Sequence, residues 1–242
     1  QGNTPRDIVT DGKYVYVSMY TGVVSRIDPS TNTIDKTVAV GPNPEEMVIV
    51  NKSLYVTNSD GNNYNAGYAN GKSVSKISLS DFVEEKKIAV GLNPTKITAD
   101  ALGNVLVLCM GDYSATPATV WKINAEDEAT SMNIPATIMD IKDNSLYVIN
   151  APYGAPSITY TVYNTSSGAV EKENFVSAPV DAPAGIAVHS DGRIFITSYT
   201  LVGGFASYKT PGYVSEYSSD GTFVKKYDVG VGAVSMLSLI HI

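Results

Sequence analysis

The chain has 242 residues, of which 43% are hydrophobic and 17% charged, a composition too apolar for a disordered segment. Its 17 Lys and Arg against 24 Asp and Glu leave a net charge of −7, which argues against nucleic acid as a partner because phosphate backbones are also negative. No uninterrupted apolar run approaches about 18 residues, so no transmembrane segment is expected.

A short unit, in which an apolar strand follows a proline, recurs along the chain. Its copies start at residues 5–9, 44–48, 94–98 and 183–187, and a degenerate copy without the proline lies at 136–140. The spacing of about 40–50 residues is typical of a propeller blade. A β-sandwich would be the alternative, but it gives no reason for a repeated four-strand unit.

Three further strands follow in each unit. The second strands are β-branched and aromatic, after turn pairs such as Asp11-Gly12 and Asn51-Lys52, and are predicted at residues 14–17, 54–57, 105–108, 146–149 and 194–197. The third strands alternate in character and are predicted at residues 23–28, 73–78, 119–124, 158–163 and 213–218. Charged fourth strands, suited to a sheet edge, are predicted at residues 36–40, 85–90 and 224–229.

The predicted fold is therefore all-β: a β-propeller of four-stranded antiparallel blades, with about five blades present from a seven-bladed parent. We expect a single propeller domain over residues 1–242, truncated at both ends. Residues 1–4 resemble the end of a preceding blade junction. Residues 236–242 depart from the repeat and resemble a non-native tail, in which His241 is expected to carry no function.

The connections between second and third strands are long, at residues 59–72, 111–118, 151–157 and 199–212. In a propeller they emerge on the face that also carries the blade junctions, so we predict one variable, ligand-binding face. With 16 Tyr against 5 Phe and 1 Trp, the composition suits a surface that is both packed and wet. The predicted binding residues on these connections are Tyr20, Asn62, Asn63, Tyr64, Tyr68, Tyr113, Tyr153, Tyr199, Phe205 and Tyr208.

The blade junctions add charged residues to the same face. Arg6 is included among the predicted binding residues, and Glu45, Glu46 and Lys96 lie at equivalent junctions. Two interpretations remain open at this point: these charges orient a polar ligand, or they are simply solvated.

Candidate catalytic groups are few. Cys109 lies in an apolar run and is expected to be buried, while His189 precedes a turn on the face opposite the long loops. We therefore predict no catalytic residue, no cofactor and no metal. The competing hypothesis is a calcium site, for which Asn58 and Asn150 at the ends of second strands would be ligands.

Recurrent phrases such as Leu54-Tyr55-Val56-Thr57-Asn58 and Ile88-Ala89-Val90-Gly91-Leu92-Asn93-Pro94 resemble those of the YncE-like β-propellers, especially the surface lipoprotein branch of Bacteroidetes. The resemblance extends to about Val231. It implies an exported, lipid-anchored protein at the cell surface or in the periplasm. It also implies capture of cobalamin or another corrinoid for an outer-membrane transporter, as members of that branch do.

The leading functional hypothesis is a non-enzymatic module that binds a small-molecule ligand such as a corrinoid on its Tyr/Asn-rich face. One alternative is a calcium-dependent lactonase or esterase. Another is a scaffold that binds protein or glycan.

Overall fold

The computed structural model of the protein describes residues 4–154 and 157–234. Most of the expected junction remnant (residues 1–3) and the whole expected tail (236–242, with His241) lie outside the described residues. The described chain forms five four-stranded antiparallel sheets, whose strands lie side by side in sequence order; in the fifth sheet, a separate two-stranded hairpin is inserted between the second and third strands. These sheets are the blades of a β-propeller, so the predicted fold class is confirmed.

The strands are numbered in chain order. The first two blades consist of β1 Pro5–Thr10, β2 Val15–Met19, β3 Val23–Asp28, β4 Thr33–Ala39, and of β5 Pro44–Val50, β6 Ser53–Asn58, β7 Ser73–Ser78, β8 Glu84–Ala89. The third and fourth consist of β9 Pro94–Ala99, β10 Val105–Cys109, β11 Thr119–Ile123, β12 Ala129–Pro135, and of β13 Ile138–Lys142, β14 Ser145–Asn150, β15 Thr159–Asn164, β16 Val170–Glu173. The fifth blade and a small hairpin inside it consist of β17 Pro183–Val188, β18 Ile194–Ser198, β19 Leu201–Val202, β20 Phe205–Ala206, β21 Pro211–Tyr217 and β22 Phe223–Val231.

Burial follows the position of each strand in its blade. The second strand of the third blade, β10, is buried at every residue, which explains its uninterrupted Val-Leu-Val-Leu-Cys sequence. The outermost strand β16, in contrast, is exposed at every residue and carries charges that discourage pairing with another chain. The outermost strands β12 and β16 were not located from the sequence.

Two elements of the long loops were also not predicted. A short 3-10 helix, Gly61–Ala66, lies between β6 and β7, and the hairpin of β19 and β20 lies between β18 and β21. Within the described ranges, no helix has both the length and the apolar character needed to cross a membrane.

The chain divides into two compact units, with the boundary after Pro135. In the first unit the innermost strands β1, β5 and β9 lie side by side, and in the second β13 lies beside β17. Apolar side chains fill the space between neighbouring sheets. Leu54 and Ile77 belong to the core between the first two blades, Val107 to the core of the second and third, and Ile196 to the core of the fourth and fifth.

Carboxylates join the innermost strands of neighbouring blades. The backbone N–H of Met47 donates to Asp7 Oδ2 at 2.8 Å, and that of Val188 donates to Asp140 Oδ2 at 2.6 Å. The N–H of Ile97 makes a longer bond of 3.4 Å to Glu46 Oε2. Because these bonds satisfy strand N–H groups that have no partner in their own sheet, they hold adjacent blades in register.

Candidate ligand-binding surface

Within each unit, the loops between second and third strands emerge beside the blade junctions, as the sequence predicted. In the first unit the N–H of Ser59 donates to the carbonyl of Asn43 at 3.1 Å, and that of Met110 to the carbonyl of Asn93 at 2.8 Å. In the second unit the N–H of Tyr199 bonds to the carbonyl of Ala182 at 3.0 Å. Each loop is therefore tied to the junction at its own end of the blade.

The asparagine of the Gly-x-Asn-Pro junctions fixes the loops of the first unit. Asn43 and Asn93 both adopt left-handed backbone angles, with φ of 47° and 55°, which asparagine tolerates better than most residues. The side chain of Asn43 donates to the carbonyl of Tyr20 at 2.9 Å and accepts from the N–H of Asn62 at 3.0 Å. Asn93 donates in the same way to the carbonyl of Gly111 at 3.3 Å.

The glycine of the same junctions allows the blades to pack closely. A Cβ atom on Gly41 would lie 2.5 Å from Asn58 Cγ, and one on Gly91 would lie 2.5 Å from Trp121 Nε1. Both distances are shorter than van der Waals contact, so a larger residue would displace the second or third strand. The repeated Gly-x-Asn-Pro sequence thus has a structural explanation at its glycine and at its asparagine.

An ion pair lies at the loop end of the first unit. Arg6 Nε donates to Glu45 Oε2 at 2.6 Å, and the Arg6 guanidinium lies 4.9 Å from the ring centroid of Tyr20. The hydroxyl of Ser59 also contacts Glu45, at 3.3 Å to Oε1. Arg6 is therefore not simply solvated: one edge of its guanidinium is paired, and its side chain is still 44% exposed and able to contact a ligand.

Glu45 is nearly fully buried, and burial raises the pKa of its carboxyl above the ordinary value of 4.5, although Arg6 lowers it in part. The folded protein therefore binds this proton more readily than the unfolded chain does. The stability that Glu45 contributes is present below pH 4.5 and is lost as the pH rises through the folded-state pKa.

We expect the variant Glu45→Gln to lack this pH dependence. The free energy of unfolding of the wild type, minus that of Glu45→Gln, should fall between about pH 4 and pH 7, because only the wild type must ionise a buried carboxyl. Urea unfolding over this pH range measures the difference. A difference that grew with pH would contradict the prediction and show that pairing with Arg6 outweighs burial.

A second ion pair lies at the next junction. Lys96 Nζ donates to Glu46 Oε1 at 2.6 Å, with both side chains about one-third exposed. Since β5 carries both Glu45 and Glu46, it pairs with a cation on each neighbouring innermost strand. The sequence left two interpretations of these charged residues open, and solvation alone is wrong, because their side chains form ion pairs between neighbouring blades.

Two predicted tyrosines of the first unit contact each other. The rings of Tyr68 and Tyr113 meet edge to face with centroids 6.1 Å apart, and Tyr113 is 65% exposed as a whole residue. Desolvation raises the pKa of Tyr113, and so do Tyr68, Glu45 and Tyr20, which lie close enough to interact electrostatically, while a side-chain hydrogen bond with Asn93 lowers it in part. We call Arg6, Tyr20, Tyr68 and Tyr113 the tyrosine cluster.

The remaining predicted residues of this unit have different roles. Asn63 donates to Asp60 Oδ2 at 2.9 Å, an atom that also accepts the N–H of Asn70, so Asn63 fixes the loop. Asn62 is exposed and anchored only through its backbone, and Tyr64 is 63% exposed.

In the second unit, Tyr199 and Tyr208 form a ring pair with centroids 4.8 Å apart. Phe205 is 70% exposed on the hairpin of β19 and β20. Tyr153 is 97% exposed beside the undescribed residues 155–156. The structure thus gathers Tyr199 and Tyr208, and it leaves Tyr153 without ring contacts in the described chain.

Three residues that the sequence analysis considered for catalysis or metal binding, Cys109, His189 and Asn58, have contacts that suit a structural role. Burial raises the pKa of the Cys109 thiol to about 12, which leaves almost no thiolate at neutral pH. His189 lies in the turn between β17 and β18, where its Nδ1 accepts the N–H of Asp191 at 3.2 Å. The amide of Asn58 is buried and donates to the hydroxyls of Ser73 and Ser75. Among the described residues, no group of three or more His, Cys, Asp and Glu could hold a metal.

No family model and no curated protein matches the chain. Solved structures do match it, among them Kuenenia stuttgartiensis hydrazine synthase, with 19% identity, a TM-score of 0.67, and coverage of 90% of this chain and 63% of that one. A functionally unknown protein from Desulfotomaculum acetoxidans DSM 771 matches with 12% identity, a TM-score of 0.66, and coverage of 95% and 72%. Kluyveromyces lactis Hsv2 matches with 10% identity, a TM-score of 0.59, and coverage of 94% and 64%.

These similarities support the β-propeller fold and nothing finer, because the identities of these structures are below 20%. The chain spans 63% of the hydrazine synthase chain and 64% of the Hsv2 chain. Propellers with enzymatic names also occur among the matches, such as a dihydro-heme d1 dehydrogenase at 12% identity. The fold alone therefore assigns neither an enzymatic nor a binding role to this chain.

Sequence reasoning missed the residues that hold the site in place. Asn43, Asn93 and Glu45 were not among the predicted binding residues, although they position Tyr20, Asn62 and the 110–118 loop. The repeated Gly-x-Asn-Pro phrase was the available signal, since an asparagine at a conserved register of the repeat requires a structural reason. Glu45 was placed on the same face by its junction position, but its pairing with Arg6 had no signal, because the two residues are distant in sequence.

Proposed function

We propose that this protein is a non-catalytic binding module and that the tyrosine cluster of the first unit is its ligand-contacting surface. The observation that carries the proposal is the exposed Tyr113 ring, which contacts Tyr68 and lies within electrostatic range of Tyr20, the ring that carries the half-exposed cation of Arg6. Aromatic rings beside a cation suit a ligand with a broad apolar face and polar groups at its edge.

The rigidity of the loops supports the same function. Asp112 Oδ1 accepts the N–H groups of Ser114 and Thr116, at 2.9 and 2.8 Å, and these bonds lower its pKa. Together with Asn93, this fixes the loop that carries Tyr113 before any ligand arrives. A preorganised aromatic surface loses little conformational entropy on binding, which favours affinity.

The ligand class that we propose first is a corrinoid, a flat macrocycle fringed with amides. The resemblance to the YncE-like surface lipoproteins motivates this choice, and tyrosine and asparagine side chains match its mixed surface. On this proposal the protein is exported and lipid-anchored, and it passes its ligand to an outer-membrane transporter.

The test is a titration with cyanocobalamin followed by visible absorbance. We expect Tyr113→Ala to weaken binding about 10- to 30-fold, corresponding to about 1.4–2 kcal/mol, because truncating an aromatic anchor removes most of its contact area. Tyr227→Ala is the matched control, since Tyr227 lies on the outermost strand β22 and is 39% exposed.

Two outcomes would contradict the proposal. Absence of wild-type binding at micromolar cyanocobalamin would exclude a corrinoid as the ligand. Equal affinity of Tyr113→Ala and wild type would exclude the tyrosine cluster as the contact surface. Mass spectrometry of the released ligand tests the non-catalytic role, for which we expect an unchanged mass.

A further inference from the structure

A groove of about 670 Å³ lies at the other end of the first two blades, away from the long loops. It is bordered by the β1–β2 and β5–β6 turns and by the connection after β7. Four cationic side chains and one carboxylate line it, in a protein whose net charge is −7. The groove is therefore a local concentration of positive charge on an acidic molecule.

The three lysines that line the groove are Lys13, Lys36 and Lys52. None of them belongs to the ion pairs of the described chain, which are formed within 4.0 Å by other side chains. Lys36 donates to the backbone carbonyl of Asp81 at 3.2 Å, and Lys13 lies over the ring of Tyr14. Their ammonium groups therefore keep donors available for an incoming anion.

The acidic groups near the groove are already engaged. Asp11 Oδ1 accepts the N–H groups of Lys13 and Tyr14, and its Oδ2 accepts the hydroxyl of Tyr16 at 2.9 Å. The Asp35 carboxylate pairs with Arg26 through two hydrogen bonds of 3.0 and 2.5 Å. The two carboxylates remain charged, and Asp35 also interacts electrostatically with Lys36, so they offset two of the four cations and leave an excess of positive charge in the groove.

Apolar side chains also line the groove. Ile49 and Leu79 line it, and the ring of Tyr14 lies 4.1 Å from the Arg26 guanidinium, which holds the ring in place. A volume of this size is within the range of small-molecule sites. The combination of apolar and cationic lining residues suits an organic molecule that carries phosphate or several carboxylates.

The backbone at Lys52 gives an independent reason to assign a role to this residue. Asn51 and Lys52 both have positive φ, 48° and 67°, as a type I′ turn requires. The corresponding turns of three other blades use glycine at positive φ, namely Gly12, Gly103 and Gly192, and that of the fourth blade uses Asp143 with a φ of 56°, so Lys52 is the one cationic residue at positive φ among these turns of the described chain. A lysine there is strained, and strain of this kind often marks a functional position.

We propose that this groove is a binding site for a multivalent oxyanion, such as a phosphate ester, held by Lys13, Lys36 and Lys52. This site is separate from the tyrosine cluster. It lies at the end of the first two blades where the short β1–β2 and β5–β6 turns are found. Because exposed charges are screened within about 10 Å at 0.1 M salt, its affinity should fall steeply with ionic strength.

The experiment compares the wild type with the variant Lys52→Gly. Inorganic pyrophosphate is the probe, and its binding to the whole chain is measured by calorimetric titration. Glycine relieves the strained turn, so we expect the melting temperature to rise by about 2–4 °C while pyrophosphate binding weakens about three- to tenfold. Lys209→Ser, an exposed lysine of the second unit, removes the same charge and should leave binding unchanged.

A stabilised Lys52→Gly variant that binds pyrophosphate as tightly as wild type would overturn the proposal, and so would a wild type that does not bind at millimolar pyrophosphate and low salt. A second arm uses phosphatidylcholine vesicles with and without phosphatidate. Retention on the phosphatidate vesicles that Lys52→Gly weakens would support the site with a lipid headgroup as the source of phosphate. Binding restricted to soluble pyrophosphate would support it with a free phosphate ester.

Discussion

Replacing Leu106 with alanine is expected to lower the free energy of unfolding by about 3–4 kcal/mol, because the side chain is fully buried on β10 and its removal leaves a cavity. β10 lies between β9 and β11 in its sheet, so the surrounding strands have little freedom to close the gap. Urea unfolding measured by tryptophan fluorescence is a suitable assay. Trp121 is the single tryptophan of the chain, and it pairs with Val107 in the same blade.

Leu102→Ala is the matched control for this prediction. Leu102 lies in the β9–β10 turn and is 63% exposed, so the same change of side chain should alter stability by no more than about 0.5 kcal/mol. Similar losses for Leu102→Ala and Leu106→Ala would contradict the assignment of β10 as a core strand. A change in the denaturant slope, in contrast, would indicate that the two units of the chain unfold separately.

The propeller fold could be predicted because each strand type carries its own local signature. The apolar β10 sequence identifies a strand buried on both faces, and turns at Gly12 and Gly192 identify the hairpin before a second strand. These signals are local in sequence, and the same signals recur in several blades, which strengthens the prediction. The strands β12 and β16 escaped prediction because an exposed outer strand has no hydrophobic periodicity to distinguish it from a loop.

The candidate site was only partly predictable, since its contacts join residues that are distant in sequence. Tyrosines on long loops could be identified as a class, but the contact of Tyr68 with Tyr113 depends on how two blades place their loops. The pairing of Arg6 with Glu45 spans 39 positions and follows only from the neighbouring innermost strands. The hairpin of β19 and β20 had a signal in its Gly203-Gly204 turn, where both residues have positive φ, although its two-residue strands are too short for a pattern.

The groove at the opposite end of the first unit was likewise only partly predictable from the sequence. The sequence identifies Asn51-Lys52 as a turn, and its positive φ values agree with that prediction. That Lys52 shares a groove with Lys13 and Lys36 follows from the packing of the first two blades. A departure from glycine at a turn position is therefore informative in this protein only when its three-dimensional neighbours are known.

The second large effect is expected at the junction asparagine of the third blade. Asn93→Ala should lower the free energy of unfolding by about 2–3 kcal/mol, because alanine is strained at the φ of 55° and the buried carbonyl of Gly111 loses its hydrogen bond. Asn93 is 3% exposed, so water cannot replace the lost donor without rearrangement. Hydrogen exchange of residues 110–118 should accelerate in the same variant, since this bond fixes the loop that carries Tyr113.

Two comparison variants separate the causes. Asn93→Gly accepts the left-handed backbone, so it should lose only about 1–2 kcal/mol, through the missing hydrogen bond. Asn133 has a similar φ of 56° but is exposed, and the bond that its Oδ1 accepts from the Ser131 hydroxyl can be replaced by water, so Asn133→Ala should lose about 1 kcal/mol, chiefly through strain. If Asn93→Ala were no more destabilising than Asn133→Ala, the side chain would not hold the loop, and the preorganisation of the tyrosine cluster would need another cause. If Asn93→Ala instead released the loop and weakened ligand binding to the level of Tyr113→Ala, the junction asparagine would count as a positioning residue of the site.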